Sequence, residues 1–238
     1  GSPMEHPIYV LSSCPLFQGL TEEEISRALE CLPGRTARYP RGGMFSPAED
    51  AAGSVGIVLE GRVHIVTEDF WGNQGILGEA GPGQVFGESL ACFPQAAAGI
   101  HVLAVEDSLL LFLPLDRLLS PCGSACPFHA RIIRNLAAVL AEKNLLLTRK
   151  AEHMSQRSLR KKLLSYLSWQ AKLHGSPCFS IPFNRQQLAD YLAVDRSALS
   201  AELSRMRREK LLDFQKQWFC LGPEEEGESH AKNFSRLQ

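Results

Sequence analysis

A chain of 238 residues that is 45% hydrophobic and 21% charged holds enough apolar surface for one large domain or two ordinary ones, which excludes disorder over most of its length. The net charge of −1 hides an acidic front and a basic rear: residues 1–121 carry 6 Lys/Arg against 15 Asp/Glu, and residues 155–222 carry 12 against 5. That division predicts two modules, the second meeting a polyanion, and the lack of any run of about eighteen uncharged apolar residues excludes a transmembrane helix.

Gly1-Ser2-Pro3 ahead of Met4 reads as a tag remnant, and no basic, apolar signal segment follows, so a cytoplasmic protein is expected. Thr21 with Glu24 fits a capping box, and Glu22 to Glu24 suit the first turn of a helix. From Tyr39 to Pro114 glycines punctuate short apolar runs. Val55–Leu59 and Val63–Val66 read as a strand pair turning at Glu60-Gly61. Gly75–Leu77 and Val85-Phe86 bracket a turn at Gly81-Pro82-Gly83, and Ile100–Val105 with Leu109–Leu113 form another pair. Short strands at roughly 8–12 residue spacing predict a sandwich or barrel. A long helix then begins near Pro127 and runs through Ile132, Ile133, Leu136, Val139, Leu140 and Leu145 to Leu147. Its apolar residues cover more than one face, so one face is expected on the barrel and another against a second copy; a wholly internal helix is the alternative.

Helical patterning resumes over Ser158–Leu173, followed by a turn at Gly175-Ser176-Pro177 and a short strand near Phe179–Ile181. Asn184 is placed to cap a helix burying Leu188, Ala189 and Leu192, and Asp195 to cap a second one burying Leu199, Leu203 and Met206. The second helix displays Arg196, Ser197, Ser200, Arg207 and Arg208, the pattern of a helix-turn-helix whose recognition helix reads base edges, with Asp195, Arg196, Ser197 and Ser200 as its candidate DNA contacts. Arginine near its start suits guanine O6 and N7. Asn184, Arg185 and Gln186 lie at a helix N-terminus suited to a phosphate. Leu211–Phe214 and Trp218–Leu221 read as a two-stranded wing, with Lys216 at its tip near the DNA backbone.

With these motifs assembled, residues 12–222 resemble the cyclic AMP receptor protein and fumarate–nitrate regulator (Crp/Fnr) family of bacterial transcription factors. Pro15-Leu16-Phe17 with Gly19-Leu20 is similar to its opening segment, and Gly56 to Val63 to its strand–Gly–strand pattern. Gly83 to Ser89 resembles its phosphate-binding cassette, and Asn184 to Leu192 with Val194 to Ser200 its helix-turn-helix. The resemblance implies an α+β chain: an N-terminal double-stranded β-helix (jelly roll) sensor, a long dimerisation helix and a C-terminal winged helix-turn-helix. It further implies a homodimer on a two-fold symmetric operator, half-sites about 34–36 Å apart, with RNA polymerase as a partner. Effector-binding residues are then expected at Gly87, Glu88, Ser89 and Leu90. Family members that hold a cyclic nucleotide pair its phosphate with an arginine after the Gly-Glu pair, whereas Gln95-Ala96-Ala97-Ala98-Gly99 here has no cation. An unknown small-molecule effector, neutral or weakly anionic, or a redox signal, sensed by the N-terminal barrel, is expected instead of a cyclic nucleotide. The recognition helix keeps Arg196 but holds Ser197 and Ala201 where the family has glutamate and a second arginine, which implies a different operator.

Other chemistry is weaker. Cys122, Cys126 and His129 offer soft-metal or redox ligands at the hinge, but lack a fourth ligand nearby, so no metal is predicted. The seven cysteines are scattered and are expected as reduced thiols. No His-x-His pair, nucleophile elbow, Gly-rich loop ending in Lys-Ser/Thr or His-Glu-x-x-His is present, which argues against a cupin-like metalloenzyme or any other enzyme. An interaction module without DNA binding is the other alternative. The expected organisation is a sensor barrel over residues 4–121, a hinge and dimerisation helix over 122–154, a DNA-binding domain over 155–222, and a solvated acidic tail over 223–238.

Overall fold

The computed structural model describes residues 8–120, 126–223 and 229–236. The chain divides after Lys143 into two compact units. The first opens with α1 (Ile8–Ser12), a 3-10 turn at Pro15–Phe17 and α2 (Glu22–Cys31). The capping box on α2 forms as its sequence predicts: Glu24 N–H donates to Thr21 Oγ1 at 3.2 Å, and Thr21 N–H donates to Glu24 Oε1 at 3.0 Å. There follow β1 (Arg35–Tyr39), β2 (Met44–Phe45), α3 (Pro47–Asp50), β3 (Ser54–Glu60), β4 (Val63–Glu68), β5 (Gln74–Ala80) and β6 (Val85–Phe86). Then come α4 (Glu88–Cys92), a 3-10 turn at Pro94–Ala97, β7 (Ile100–Ala104), β8 (Ser108–Pro114), α5 (Leu115–Leu119) and the long α6 (His129–Met154).

The strands form two four-stranded antiparallel sheets, ordered β1-β8-β3-β6 and β2-β7-β4-β5. The strands fall where the sequence places them, but their partners differ. β3 and β4 belong to different sheets, as do β5 and β6, and β7 and β8. The pairs expected from adjacency are therefore corners at which the chain changes sheets. Gly61 makes one such corner: its φ is +87°, and a Cβ there would lie 2.4 Å from the Asp107 carbonyl oxygen. Among these neighbours β4 and β5 form a true hairpin, from Val63↔Ala80 to Glu68↔Gln74.

β8 explains how the first unit is layered. Leu109, Leu111 and Leu113 lie in a core with α2 and the start of α6, while Leu110 and Phe112 lie in the core between the sheets. A strand packed on both faces loses the alternation of a half-exposed strand and reads as a continuous apolar run. Gly56 on the neighbouring β3 supplies room for the Phe86 ring, whose nearest atom would stand 2.3 Å from an added Cβ.

The second unit contains the end of α6, then α7 (Leu159–His174), β9 (Cys178–Ser180), α8 (Arg185–Leu192), α9 (Arg196–Arg208), β10 (Leu212–Gln215), β11 (Trp218–Leu221) and α10 (His230–Arg236). The wing has three strands in the order β10-β11-β9, because the short strand near Phe179 joins the expected pair. Its core gathers Leu163, Tyr166, Leu167, Phe179, Leu188, Leu199, Leu203, Met206 and Phe219. Two expectations are corrected here. Cys178 and Cys220 are disulfide-bonded rather than reduced: they stand directly opposite across β9 and β11, 42 residues apart in sequence. The residues after 223 are not all solvated tail, since α10 buries His230 and Phe234. The acidic Glu224, Glu225 and Glu226 lie outside the described residues. Among the described residues no helix is long and apolar enough to cross a membrane.

Candidate nucleic-acid interface and sensor site

The helix pair α8–α9 is set by its caps. Asn184 Oδ1 accepts from Gln187 N–H at 2.8 Å, and Gln187 Oε1 accepts from Asn184 N–H at 2.9 Å. Asp195 Oδ2 accepts from Ala198 N–H at 3.0 Å and so starts α9. Both cap residues were singled out in the sequence as candidate contacts to nucleic acid, and both have their side chains engaged in capping. Ala193 takes a left-handed conformation at φ 55° to make the turn between the helices. Leu199, Leu203 and Met206 are wholly buried, while Arg196, Ser197 and Ser200 are exposed. The first turns of α9 therefore offer one guanidinium and two hydroxyls outward.

Arg185 does not stand free at the start of α8. Its guanidinium lies over the rings of Phe214 and Phe219, 5.0 and 5.1 Å from their centroids, and burial, with Arg207 nearby, pulls its pKa down. Arg207 stacks on Phe214 at 4.2 Å. Gln186 is exposed and donates to Asp190 at 2.9 Å, and Lys216 is exposed at the β10–β11 turn with φ 55°. Part of the basic surplus is spent internally. The Arg160 guanidinium bonds Glu202 at 2.5 Å and Glu209 at 2.6 Å, and Arg205 holds the same Glu202. These arginines keep the Glu202 carboxyl below the usual range, first through Arg160, and Arg160 does the same to Glu209. The salt-bridge network spans α7 and α9; Arg205 and Glu202 are three residues apart on α9, but the Arg160 links have no local signature, because they join residues 42 and 49 apart.

In the first unit the four expected effector residues diverge. Gly87 caps α4 with φ 72°; Gly87 and Leu90 line a cavity of about 190 Å³ with Ala51, Ala91, Pro94 and Ala97. Ser89 is exposed. Glu88 is 3% exposed and pairs with Lys143 of α6, whose Nζ lies 2.5 Å from Glu88 Oε1 and donates to the Val85 carbonyl at 2.9 Å. Among the described residues Glu88 Oε2 is buried without a hydrogen-bond partner. The sequence has no cation after the Gly-Glu pair, and the structure supplies one from a different element. The signal for it was present: Lys143 extends the stripe of buried Ile132, Leu136 and Val139 at helical spacing.

Of the hinge candidates, Cys122 lies outside the described residues. Cys126 Sγ stands 3.4 Å from Cys31 Sγ, and His129 Nε2 is 2.7 Å from the Leu118 carbonyl oxygen. Among the described residues no three His, Cys, Asp or Glu side chains gather to hold a metal ion. Sequence reading missed His153 at the end of α6. It is buried, its Nδ1 is 2.8 Å from Ser165 Oγ, and the rings of Tyr166, Trp169 and Tyr191 surround it. Burial pulls the His153 pKa down and pushes the Tyr166 pKa up.

Comparison with known proteins matches both units. The cyclic nucleotide-binding domain family matches residues 36–123, and the Crp-like helix-turn-helix domain family matches residues 161–223. The cyclic AMP receptor protein of Thermus thermophilus is 29% identical over 133 residues, 56% of this chain and 58% of that protein, so the match spans less than two thirds of the relative. Among solved structures, CprK complexed with OCPA shares 14% identity with a TM-score of 0.56, covering 84% of this chain and 91% of its own. The c-di-GMP responsive global regulator CLP of Xanthomonas campestris shares 21% identity with a TM-score of 0.52, covering 85% and 99%. At such identities these structures attest the fold. The named relatives are a receptor protein and a regulator rather than enzymes. A cyclic nucleotide-binding domain followed by a Crp-like helix-turn-helix, covering well over half of the chain between them, makes this protein a member of the Crp/Fnr family.

Proposed function

We propose that the protein is a homodimeric, cytoplasmic transcription regulator that binds a two-fold symmetric DNA operator under the control of a small-molecule effector, with RNA polymerase as a further partner. The observation that carries the reading is α9 itself, with Leu199, Leu203 and Met206 wholly buried and Arg196, Ser197 and Ser200 exposed along its start. Arg196 is assigned to a base edge, Ser197 and Ser200 to bases or phosphates, and Lys216 and the α8 N-terminus to backbone phosphates. In this reading Asp195 and Asn184 act by holding their helices in place, and Arg185 by bracing the wing against α8.

Self-association is supported by the outer face of α6. Ile133, Leu140, Leu147 and Met154 recur every seven residues, with Ala137, Asn144 and Ala151 between them at coiled-coil spacing. Leu147 is 65% exposed, a large apolar side chain with no cover of its own. The effector is assigned to the neighbourhood of α4. Without an arginine in the 95–99 stretch, a cyclic nucleotide, as named for the Thermus thermophilus relative, is not the expected ligand. An effector acts by favouring one placement of α6, and it must bind the two states unequally to shift their populations.

The test is selection of genomic DNA fragments by the purified protein, alone and with a small-molecule extract of cells. Enrichment of a palindrome is expected, stronger with extract. Failure to enrich any sequence under either condition overturns the DNA-binding reading.

A further inference from the structure

Cys14, Cys31, Cys92 and Cys126 stand outside the Cys178–Cys220 disulfide. They sit in different surroundings. Cys14 is buried in the first unit's core, and burial pushes its thiol up to about 11, which leaves little thiolate to react. Cys92 is exposed at the end of α4. Cys31 and Cys126 are both half-buried and face each other across 3.4 Å, although 95 residues separate them in sequence. A disulfide requires about 2.05 Å between sulfurs, so roughly 1.4 Å of approach closes the bond, within the reach of side-chain rotation.

Where this pair stands gives it a purpose. Cys31 is the last residue of α2. Cys126 belongs to the turn that starts α6: its carbonyl accepts from His129 N–H at 3.2 Å. The same helix start is held by Asn135, which donates to the carbonyls of Leu16 and Gln18, and by His129 on Leu118. A covalent tie from α2 to this turn would fasten α6 at the end farthest along the chain from the helix-turn-helix.

From this juxtaposition we infer that Cys31 and Cys126 are a redox-switched modification site, a dithiol that closes to a disulfide and resets α6. The oxidant is a low-molecular-weight disulfide. One protein thiolate attacks a sulfur of the oxidant, forming a mixed disulfide and releasing one small thiolate. The second protein thiolate then attacks the protein-side sulfur of that mixed disulfide and releases the other small thiolate. Two protein thiols lose two electrons and two protons, and the oxidant leaves as two small thiols. The claim that the bond alters DNA binding rests on the function proposed above; the claim that the bond forms does not.

The experiment uses the full chain, reduced and then equilibrated with oxidised glutathione, with free thiols alkylated and peptides mapped. The expected result is a linked Cys31–Cys126 peptide in wild type, with Cys14 alkylated only after unfolding. Cys178–Cys220 is followed by its own linked peptide. If Cys126 is recovered joined to Cys122, or Cys31 and Cys126 are recovered only as mixed disulfides with glutathione, the proposed site is overturned. Because the mapping is done on wild type, it does not depend on a variant that folds. DNA affinity is then compared between oxidised wild type and oxidised Cys31→Ser on a selected fragment. A difference of roughly fivefold or more, absent when both proteins are reduced, is expected. Equal affinities with the bond formed overturn the switch while leaving DNA binding intact. No binding by any form, with the bond mapped, overturns the DNA-binding reading and confirms the modification site.

Discussion

Arg185 and Arg196 begin successive helices, yet only one of them is presented outward. Arg185 spends its charge on the rings of Phe214 and Phe219, whereas Arg196 is exposed at the start of α9. Arg196→Ala is therefore expected to relax preference at one base position, at about 1–3 kcal/mol of binding. Lys216→Ala is expected to weaken all sequences alike and to reduce the salt slope by about 1. Competition binding against single-base operator variants over a salt series separates the two. His153 is a different case of a side chain defined by its surroundings. In the unfolded chain an imidazole titrates near 6.5, while burial among Tyr166, Trp169 and Tyr191 lowers its value in the fold, partly opposed by Glu152. As pH falls through about 6.5 the unfolded state takes up a proton that the folded state resists, so stability is full above that pH and is lost below it. Tm measured from pH 7.5 to 5 should fall less steeply in His153→Leu than in wild type. Equal slopes would assign the acid sensitivity to other groups.

At the scale of elements, the caps were legible and the pairings were not. Thr21, Asn184 and Asp195 act within three residues of their partners, so their hydrogen bonds follow from local sequence. Whether β3 pairs with β4 depends on corners at which the chain changes sheets, and alternation along a strand carries no information about its neighbour. The same holds for Cys178 opposite Cys220 and for Arg160 on Glu202, which meet only after the elements pack. Lys143 was legible in principle, as a charge set on a buried stripe, and it joins α6 to α4 through Glu88. Removing one partner of such a pair strands the other: Lys143→Met is expected to cost about 1–2 kcal/mol, less than a fully buried pair because Lys143 is half exposed. Adding Glu88→Gln should recover part of that loss. Urea unfolding of both single variants and the double variant measures the coupling, and strict additivity would show that the pair contributes nothing.

For the whole molecule, order along the chain was the most legible feature, because an acidic strand-rich front and a basic helix-rich rear differ in both charge and period. What single-chain reasoning leaves open is the outer face of α6. The buried Ile132, Leu136 and Val139 account for one side of the helix. Ile133, Leu147 and Met154 lie at heptad spacing on another, together with Leu140, which is partly packed against the first unit's core, and Leu145, Leu146 and Leu147 are all exposed in the isolated chain. An apolar face of this kind is costly in water, and the proposed dimer would cover it with a second α6, Asn144 then setting the register at some cost in stability. Leu147→Glu places two carboxylates opposite each other in that seam. The wild-type chain should run at twice 26.3 kDa in light scattering, and Leu147→Glu should run as a monomer with its second-unit fold retained by circular dichroism. Losing the dimer removes the simultaneous hold on two half-sites, so operator affinity should fall by about 10²-fold or more while binding to a single half-site changes little. If Leu147→Glu stays dimeric, the seam lies elsewhere on the molecule and the heptad face of α6 is not the contact.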